Sequence, residues 1–506
     1  MKVPLSWLKE YVEIAMPVED LAHRLTLAGL EVEEIRYIGL PMPVGKPEFK
    51  RTGFSWEPDK IVVGAIHEVM PHPNADRLVL CRLDDGEQVH IVLTGAPNLF
   101  EYRGRGPLDE PLKVAYAREG ATIINAYEPG NQPTTLKRKK IRGVESYSMA
   151  CSERELGISD EHEGIILLEP DAPTGMPLVD YLGDAVFDIA ITPNIARDTN
   201  VLGVAREIAA LTGAELRQPD LRIEMQGPPL VGRVAIEITE PELNPRFVFG
   251  LIEGVQLQPS PYRVRLRLKL CGIRPIDALV DATNYAMLEL GEPLHAFDYD
   301  MLLQRAQAAG QAAPKVITRR AKAGETLVTL DNAERKLDDF TILVTDQSGP
   351  LALAGVMGGL ETEVTAATHR VLLEGATWNM INTRRTAMAQ NLPSEASYRF
   401  SRGVHPRLAA DGVLRGLQLM QQWAGGTIAQ GLVDAYPVPP EDPTVAVTIQ
   451  DVKRWLGIDL SLADIADLLS GLAFKVQIQA DQVVAKTPDH RLDIGTGVIG
   501  KADLME

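Results

Sequence analysis

The middle of the chain holds the side chains whose types could do chemistry. His295 stands in the apolar run Pro293-Leu294-His295-Ala296-Phe297-Asp298. A lone histidine in such a context is more often a satisfied core residue than a catalyst. Glu374 closes the apolar run Val371-Leu372-Leu373 and by the same default is a core residue, though a carboxylate there is costly to desolvate unless partnered, which modestly strengthens a functional role. Asp281-Ala282-Thr283-Asn284 sets a hydroxyl beside an amide. Gly355, Gly358 and Gly359 fall within five positions, which implies a tight turn or a close backbone approach. Together these groups suit a pocket lining, but spacing alone does not show that they converge. A second feature is Lys137-Arg138-Lys139-Lys140 followed by Arg142, five cations in six positions. That run is either a solvated face or a phosphate contact. The signatures of common enzymes are absent: no Walker loop, no G-x-S-x-G, no H-E-x-x-H and no paired C-x-x-C.

The elements that must carry these residues are legible in outline. Trp7, Leu8, Tyr11 and Val12 fall on one helical stripe, and Pro17 stops that element. A second helix is expected over 18–28, closed by Gly29, and then an alternating strand over 30–35. Pro, Gly and isolated charges over 41–58 read as a linker or loop. Short strands follow at 61–66, 77–83, 89–93, 112–116 and 123–124, a density that suits a small β-barrel. A helix is expected over 201–212 with Gly213 at its end. Strands are expected at 234–238 and 247–252. Ser260 and Pro261 read as an N-cap and first-turn proline of a helix ending at Gly272. Residues 325–337 read as a hairpin around Asp331-Asn332. Residues 437–443 form a Pro/acid linker. Near the end, a helix over 462–472 and a strand over 474–478 echo the helix–helix–strand pattern of the first forty residues.

Length and charge narrow the class. The chain has 506 residues, 45% hydrophobic and 24% charged, so three to four domains of ordinary globular composition are expected. No apolar run approaches the ~18 residues that span a bilayer, and the first ten residues do not read as a signal peptide. The three cysteines, Cys81, Cys151 and Cys271, make neither a disulfide framework nor a zinc spacing. A reducing, cytoplasmic setting is expected, with no membrane partner. A net charge of −18 disfavours non-specific DNA binding, though screening over ~8–10 Å lets a local basic patch hold phosphate.

Several long runs resemble the β subunit of bacterial phenylalanyl-tRNA synthetases. They are GIRPIDALVDATNYAMLELGEPLHAFD at 272–298, LALAGVMGG at 351–359 and SEASYRFSRG at 394–403. Earlier, HPNADR at 72–77, GAPN at 95–98 and RGVES at 142–146 resemble that family's inserted tRNA-binding domain. The resemblance implies an α+β multidomain fold. A split N-terminal module would comprise residues 1–40 and 152–195, around an OB-fold barrel at 41–151. An editing region would span 210–400 and a connecting segment 401–438. A small winged-helix-like module would begin at 440 and be incomplete at 506. Two departures stand out: family β subunits continue well beyond this end, so a fragment or truncated form is expected, and Asn194-Ile195-Ala196-Arg197-Asp198 replaces the family's Asn-Arg-Pro-Asp run.

The resemblance also implies a mechanism. The α subunit of an α2β2 enzyme, using ATP, would make Phe-tRNA, and this chain would hydrolyse Tyr mischarged to tRNA(Phe). A hydrophobic pocket rejects an added hydroxyl by only ~10², so a second, hydrogen-bonding site is needed. Matched by motif, that pocket comprises Thr283, Asn284, His295, Gly358, Glu374, Ser394 and Ala396. Glu374 would accept a hydrogen bond from the tyrosine hydroxyl, while His295, Thr283 and Asn284 would position water and the ester. Ser394 stands where the family commonly has Thr. Lys137, Arg138, Lys139, Lys140 and Arg142 would contact tRNA. Asp493, Asp503 and Glu506 fall near the family's Mg²⁺-associated carboxylates, with the spacing stretched by about four residues. The competing expectation is a non-catalytic tRNA-binding or assembly scaffold with a vestigial pocket.

Overall fold

The computed structural model describes residues 1–506 apart from residues 47, 127 and 129. The chain divides into two units, one of residues 1–7, 16–190 and 261–274, the other of residues 8–15, 191–260 and 275–506.

The first unit contains a four-stranded sheet in the order Lys2–Pro4, Asp184–Ile189, Val32–Gly39, Lys50–Ser55. The strand from 184–189 therefore lies between strands from the first forty residues, with Lys2 opposite Asp188 and Ile38 opposite Asp184. Buried Asp184 accepts hydrogen bonds from the backbone N–H of Ser6 at 2.9 Å and from its hydroxyl at 2.5 Å. The strand Lys50–Ser55 corrects the expectation of a loop over 41–58, of which residue 47 lies outside the described residues. Its alternation is broken by Gly53 at φ +129°, where a Cβ would lie 1.9 Å from the Tyr37 carbonyl oxygen. A strand that needs glycine against its neighbour carries a turn signal in its sequence.

A five-stranded antiparallel sheet fills the interval between those strands. Its order is Met149–Ala150, Pro107–Ala117, Ile61–Pro71, Val79–Asp84, Val89–Thr94, and its two outer strands approach one another. Period-2 alternation puts Val79, Cys81 and Leu83 inside with Val62, Ile66, Val114 and Tyr116. The helix expected from Ser260 instead spans Tyr262–Leu270, with Pro261 at the cap position in an extended conformation. The proline thus stands before the helix rather than in its first turn.

The second unit is built on a sheet in the order Leu294–Asp298, Arg370–Thr377, Arg246–Glu253, Thr427–Ile428, with Val433–Ala435 also paired to 246–253. The helices Ala278–Leu290 and Leu408–Ala424 pack beside it. Edge-to-face contacts link Phe247 to Phe249 and Trp378, and Phe249 to Phe297. A second sheet runs Ala235–Ile238, Lys315–Arg320, Ile342–Thr345, Pro350–Leu353, Met357–Gly358. Residues 401–438 are no connecting segment, correcting that expectation. They supply a 17-residue helix and two strands of the central sheet. The helix is held by its apolar stripe: Val413, Leu417, Met420 and Ala424 are buried.

Beyond 440, Thr444–Thr448, Gln482–Lys486 and Lys475–Gln479 form a three-stranded sheet with the helices Ile449–Leu456 and Leu462–Gly471. Thr448 with Asp451 and Ser461 with Asp464 form capping boxes at the two helix starts. The order strand–helix–helix–strand repeats that of Lys2–Pro4, Leu5–Tyr11, Val18–Leu27 and Val32–Gly39. The echo in the sequence is thus an echo in element order.

Candidate functional site

Strand register brings the two principal candidates together. In the antiparallel pair Leu294–Asp298 and Arg370–Thr377, His295 stands opposite Glu374. Cross-strand partners have Cβ atoms ~4.5–5.5 Å apart on one face of the sheet. Both line a cavity of about 430 Å³, together with Thr283, Asn284, Gly358, Ser394 and Ala396. Every pocket residue matched by motif therefore lies on one wall system.

The glycine cluster explains itself here. Gly358 lies against the imidazole, and a Cβ at that position would fall 2.2 Å from His295 Cε1. Gly355 has φ +67° and packs under Trp378, where a Cβ would lie 2.7 Å from the indole. At Gly359 a Cβ would lie 2.4 Å from the Leu351 carbonyl oxygen, so the cluster provides a turn and three close approaches, one of which seats the histidine ring. Phe297 meets that ring edge-to-face at 4.4 Å.

The helix Ala278–Leu290 starts at Asp277, whose side chain caps the N–H groups of Leu279 and Val280. One turn on, Thr283 and Asn284 reach the cavity. The Thr283 hydroxyl donates to the Val280 carbonyl at 2.7 Å. Asn284 makes no side-chain hydrogen bond among the described residues and is half-buried. Ser394 caps the helix Glu395–Phe400, accepting from Ser397 N–H at 3.0 Å, and its hydroxyl donates to the Val356 carbonyl at 2.7 Å. It thereby ties the glycine turn to that helix. Ala396, small and half-buried, lines the wall beside it.

The polar inventory is incomplete in one place. His295 Nε2 and Glu374 Oε2 are buried without a hydrogen-bond partner among the described residues. Glu374 is 6% exposed. Burial pushes its carboxyl up to about 8 and pushes the His295 imidazole down to about 4. Burial therefore favours a neutral imidazole opposite a protonated acid. Unpaired buried donors and acceptors are destabilising by ~1–3 kcal/mol each, and two of them facing one cavity are the chemistry a polar ligand satisfies.

The wall also contains Met287, Leu294, Trp378 and Phe400, which sequence reasoning missed. Trp378 had a signal: residues 374, 376 and 378 share one parity at the end of a strand. Phe400 had none, because its helix reaches the pocket only through tertiary packing.

The basic run belongs to the first unit, on a short hairpin in which Lys140 stands opposite Glu145. Arg138 is engaged by Glu119 at 2.8 Å and Glu145 at 3.2 Å, and it sits 4.4 Å over the Tyr147 ring. Lys137, Lys139, Lys140 and Arg142 are exposed and form no side-chain ion pair among the described residues.

The three acidic candidates do not meet. Asp493 is clasped by Arg491 at 2.6 Å, Asp503 accepts the Gly495 N–H at 2.7 Å, and Glu506 accepts from Asn194. Among the described residues no three His, Cys, Asp or Glu side chains are grouped to hold a metal. This arrangement does not fit Mg²⁺, whose carboxylate ligands must converge on one centre at ~2.0–2.1 Å. No described helix is long and apolar enough to cross a membrane.

Comparison with known proteins adds the family. Residues 61–177 match a putative tRNA-binding domain, residues 243–425 the B3/4 domain and residues 445–506 the tRNA synthetase B5 domain. The phenylalanine–tRNA ligase β subunit of Dehalococcoides mccartyi strain 195 is 42% identical over 476 residues, 94% of this chain and 54% of that protein. That of Moorella thermoacetica is 39% identical over 514 residues, covering 100% of this chain and 58% of the relative. An N-terminal fragment of the phenylalanyl-tRNA synthetase β subunit of Pyrococcus horikoshii is 17% identical, with a TM-score of 0.34 over 64% of this chain and 86% of that one. The chain belongs to the family of phenylalanine–tRNA ligase β subunits and spans a little over half the length of the curated relatives it matches.

Proposed function

We propose that the cavity between His295 and Glu374 hydrolyses the ester of tyrosine mischarged to tRNA(Phe). The observation that carries this reading is the pair of unpartnered buried atoms, His295 Nε2 and Glu374 Oε2, on facing positions of one cavity. A tyrosine hydroxyl hydrogen-bonded to Glu374 supplies the missing partner, and phenylalanine leaves it orphaned. Sites built around such a bond discriminate far better than apolar ones. His295, neutral down to about pH 4, accepts a hydrogen bond from water but is a weak base. The rate therefore comes from orienting water and ester, with Asn284 as the free amide, rather than from proton abstraction by a strong base.

In the same reading the nearly closed five-stranded sheet is an OB-type barrel that holds tRNA through Lys137, Lys139, Lys140 and Arg142. The module beyond 440 is winged-helix-like. Phe-tRNA formation belongs to an α subunit that uses ATP, partnered with this chain in an α2β2 assembly in the cytoplasm.

One observation favours a second reading. The Thr283 and Ser394 hydroxyls are both taken by backbone carbonyls, which suits a scaffold that binds tRNA with an idle pocket. Incubation with Tyr-tRNA(Phe) and Phe-tRNA(Phe) separates the two. Selective deacylation of the first supports hydrolysis, and equal protection of both supports the scaffold.

A further inference from the structure

A larger cavity, of about 860 Å³, adjoins the first within the same unit. One chain segment divides them: Ser394, Glu395, Ala396 and Phe400 line the first, and Ser401, Arg402 and Gly403 line the second. The helix Ala278–Leu290 does the same, with Thr283, Asn284 and Met287 on one side and Leu290 on the other.

The second cavity is cationic in a chain of net charge −18. Five arginines line it, Arg197, Arg206, Arg384, Arg402 and Arg407, against the acids Asp411, Asp489 and Asp493. Arg197 is spoken for by Glu207 at 2.7 Å, and Asp493 by Arg491. Asp489 lies 3.4 Å from Arg407 and 3.6 Å from His490, while burial raises the Asp411 carboxyl. The remaining guanidinium groups are under-used. Arg206 is half-buried with Asp198, Asp489 and Glu207 in its field, yet no hydrogen bond or ion pair reaches it among the described residues. Arg402 donates to the Tyr398 carbonyl and stacks 3.7 Å over that ring, but its buried Nε has no hydrogen-bond partner among the described residues. Arg384 is exposed at the rim. Thr199, Asn200 and Leu202 bring the N-terminus of the helix Val201–Thr212 to the same wall, adding its positive end.

We propose that this cavity binds the phosphodiester backbone of a single RNA strand, the 3′-terminal nucleotides that carry the ester into the neighbouring pocket. Three observations favour a strand over a lone phosphate. The volume is of the size that takes nucleotide-sized ligands. The under-used guanidinium groups come from three separate elements rather than one nest. Apolar Leu221, Met380 and Leu492 in the wall offer bases a dry surface, and the guanidinium planes between them supply stacking faces. The identity of the strand as the ester-bearing end rests on the hydrolytic reading above; the anion site does not.

The test is fluorescence anisotropy of a 5′-fluorescein-labelled, unacylated pentanucleotide ending in CCA. It uses the full chain with Lys137, Lys139, Lys140 and Arg142 replaced by Ala, so that the hairpin does not contribute. Arg206→Gln, Arg402→Gln and Arg384→Ala are each expected to weaken binding about 5- to 20-fold and lower the salt slope by ~0.7 for each phosphate no longer held. Arg384→Ala, at an exposed position, keeps the fold, and melting temperatures check the other two. Affinity and slope unchanged in all three variants overturn the proposal. So does displacement of the oligonucleotide by AMP at equal affinity, which marks a free-nucleotide site. Because this probe carries no ester, deacylation is scored separately with Tyr-tRNA(Phe): Arg-dependent binding of the probe without deacylation of that ester sinks only the hydrolytic reading. Deacylation with Arg-independent binding sinks only the RNA track.

Discussion

His295 faces Glu374 across two antiparallel strands, and each presents to the same cavity a buried polar atom with no partner among the described residues. The pair is a neutral acceptor opposite a carboxyl driven toward its protonated form by burial alone. A substrate that brings both a hydroxyl and a water-labile ester completes both halves.

Glu374→Ala is expected to keep the fold and lose preference for the tyrosyl over the phenylalanyl ester. A hydrogen bond to the neutral carboxyl is worth ~0.5–1.5 kcal/mol and one to the ionised form ~1.5–3 kcal/mol, or from less than one decade of discrimination up to about two. Deacylation of both esters, measured beside thermal unfolding, checks this; equal loss toward both substrates returns Glu374 to a structural role.

The same carboxyl sets a pH dependence. Its folded value, about 8, lies above the ordinary carboxylate range, so its stabilising effect is complete in acid and is lost as pH rises from ~4.5 through about 8. The tyrosine hydroxyl bonds an ionised acceptor more strongly, so selectivity should rise over the upper part of that window. Glu374→Gln should flatten both profiles. His295 acts in the opposite sense: its lowered value, about 4, means stability present above ~6.5 and lost as pH falls through about 4.

Gly358→Ala places a methyl group 2.2 Å from His295 Cε1. The ring must move, so deacylation of both esters should fall at least tenfold with unchanged preference between them. His295→Ala should give the same signature. A Gly358→Ala variant with full activity would show that the ring's seat is irrelevant to the chemistry.

The hairpin cations separate by their partners. Replacing Lys137, Lys139, Lys140 and Arg142 should weaken tRNA binding and flatten its salt dependence by roughly 0.7–0.9 for each phosphate released. Arg138→Ala should do less, because Glu119 and Glu145 already neutralise it. Equal slopes for all variants would make the run a solvated face.

Local chemistry is readable from the sequence because it depends on near neighbours. The helix 201–212 ends at Gly213 in the left-handed region, as its apolar period and terminal glycine require. Asn332 turns the 326–336 hairpin at φ +60°, and the alternation of 79–84 buries one face. Where local signals conflict with tertiary need, sequence and structure part. Strand 50–55 looks like a loop because Tyr37 demands Gly53, and the helix 408–424 looks like a connection unless the sheet beneath it is known.

Motif resemblance named seven pocket residues, yet what makes them a site is decided only in three dimensions. The register between strands far apart in sequence sets His295 against Glu374 rather than one residue over, which would turn one of them to the opposite face. Conversely, Asp493, Asp503 and Glu506 are near in sequence but have separate partners in space. Residue type and spacing determined which groups this chain possesses. Long-range pairing and burial decided which of them meet, because cross-strand register and desolvation are properties of the packed molecule and of no local segment.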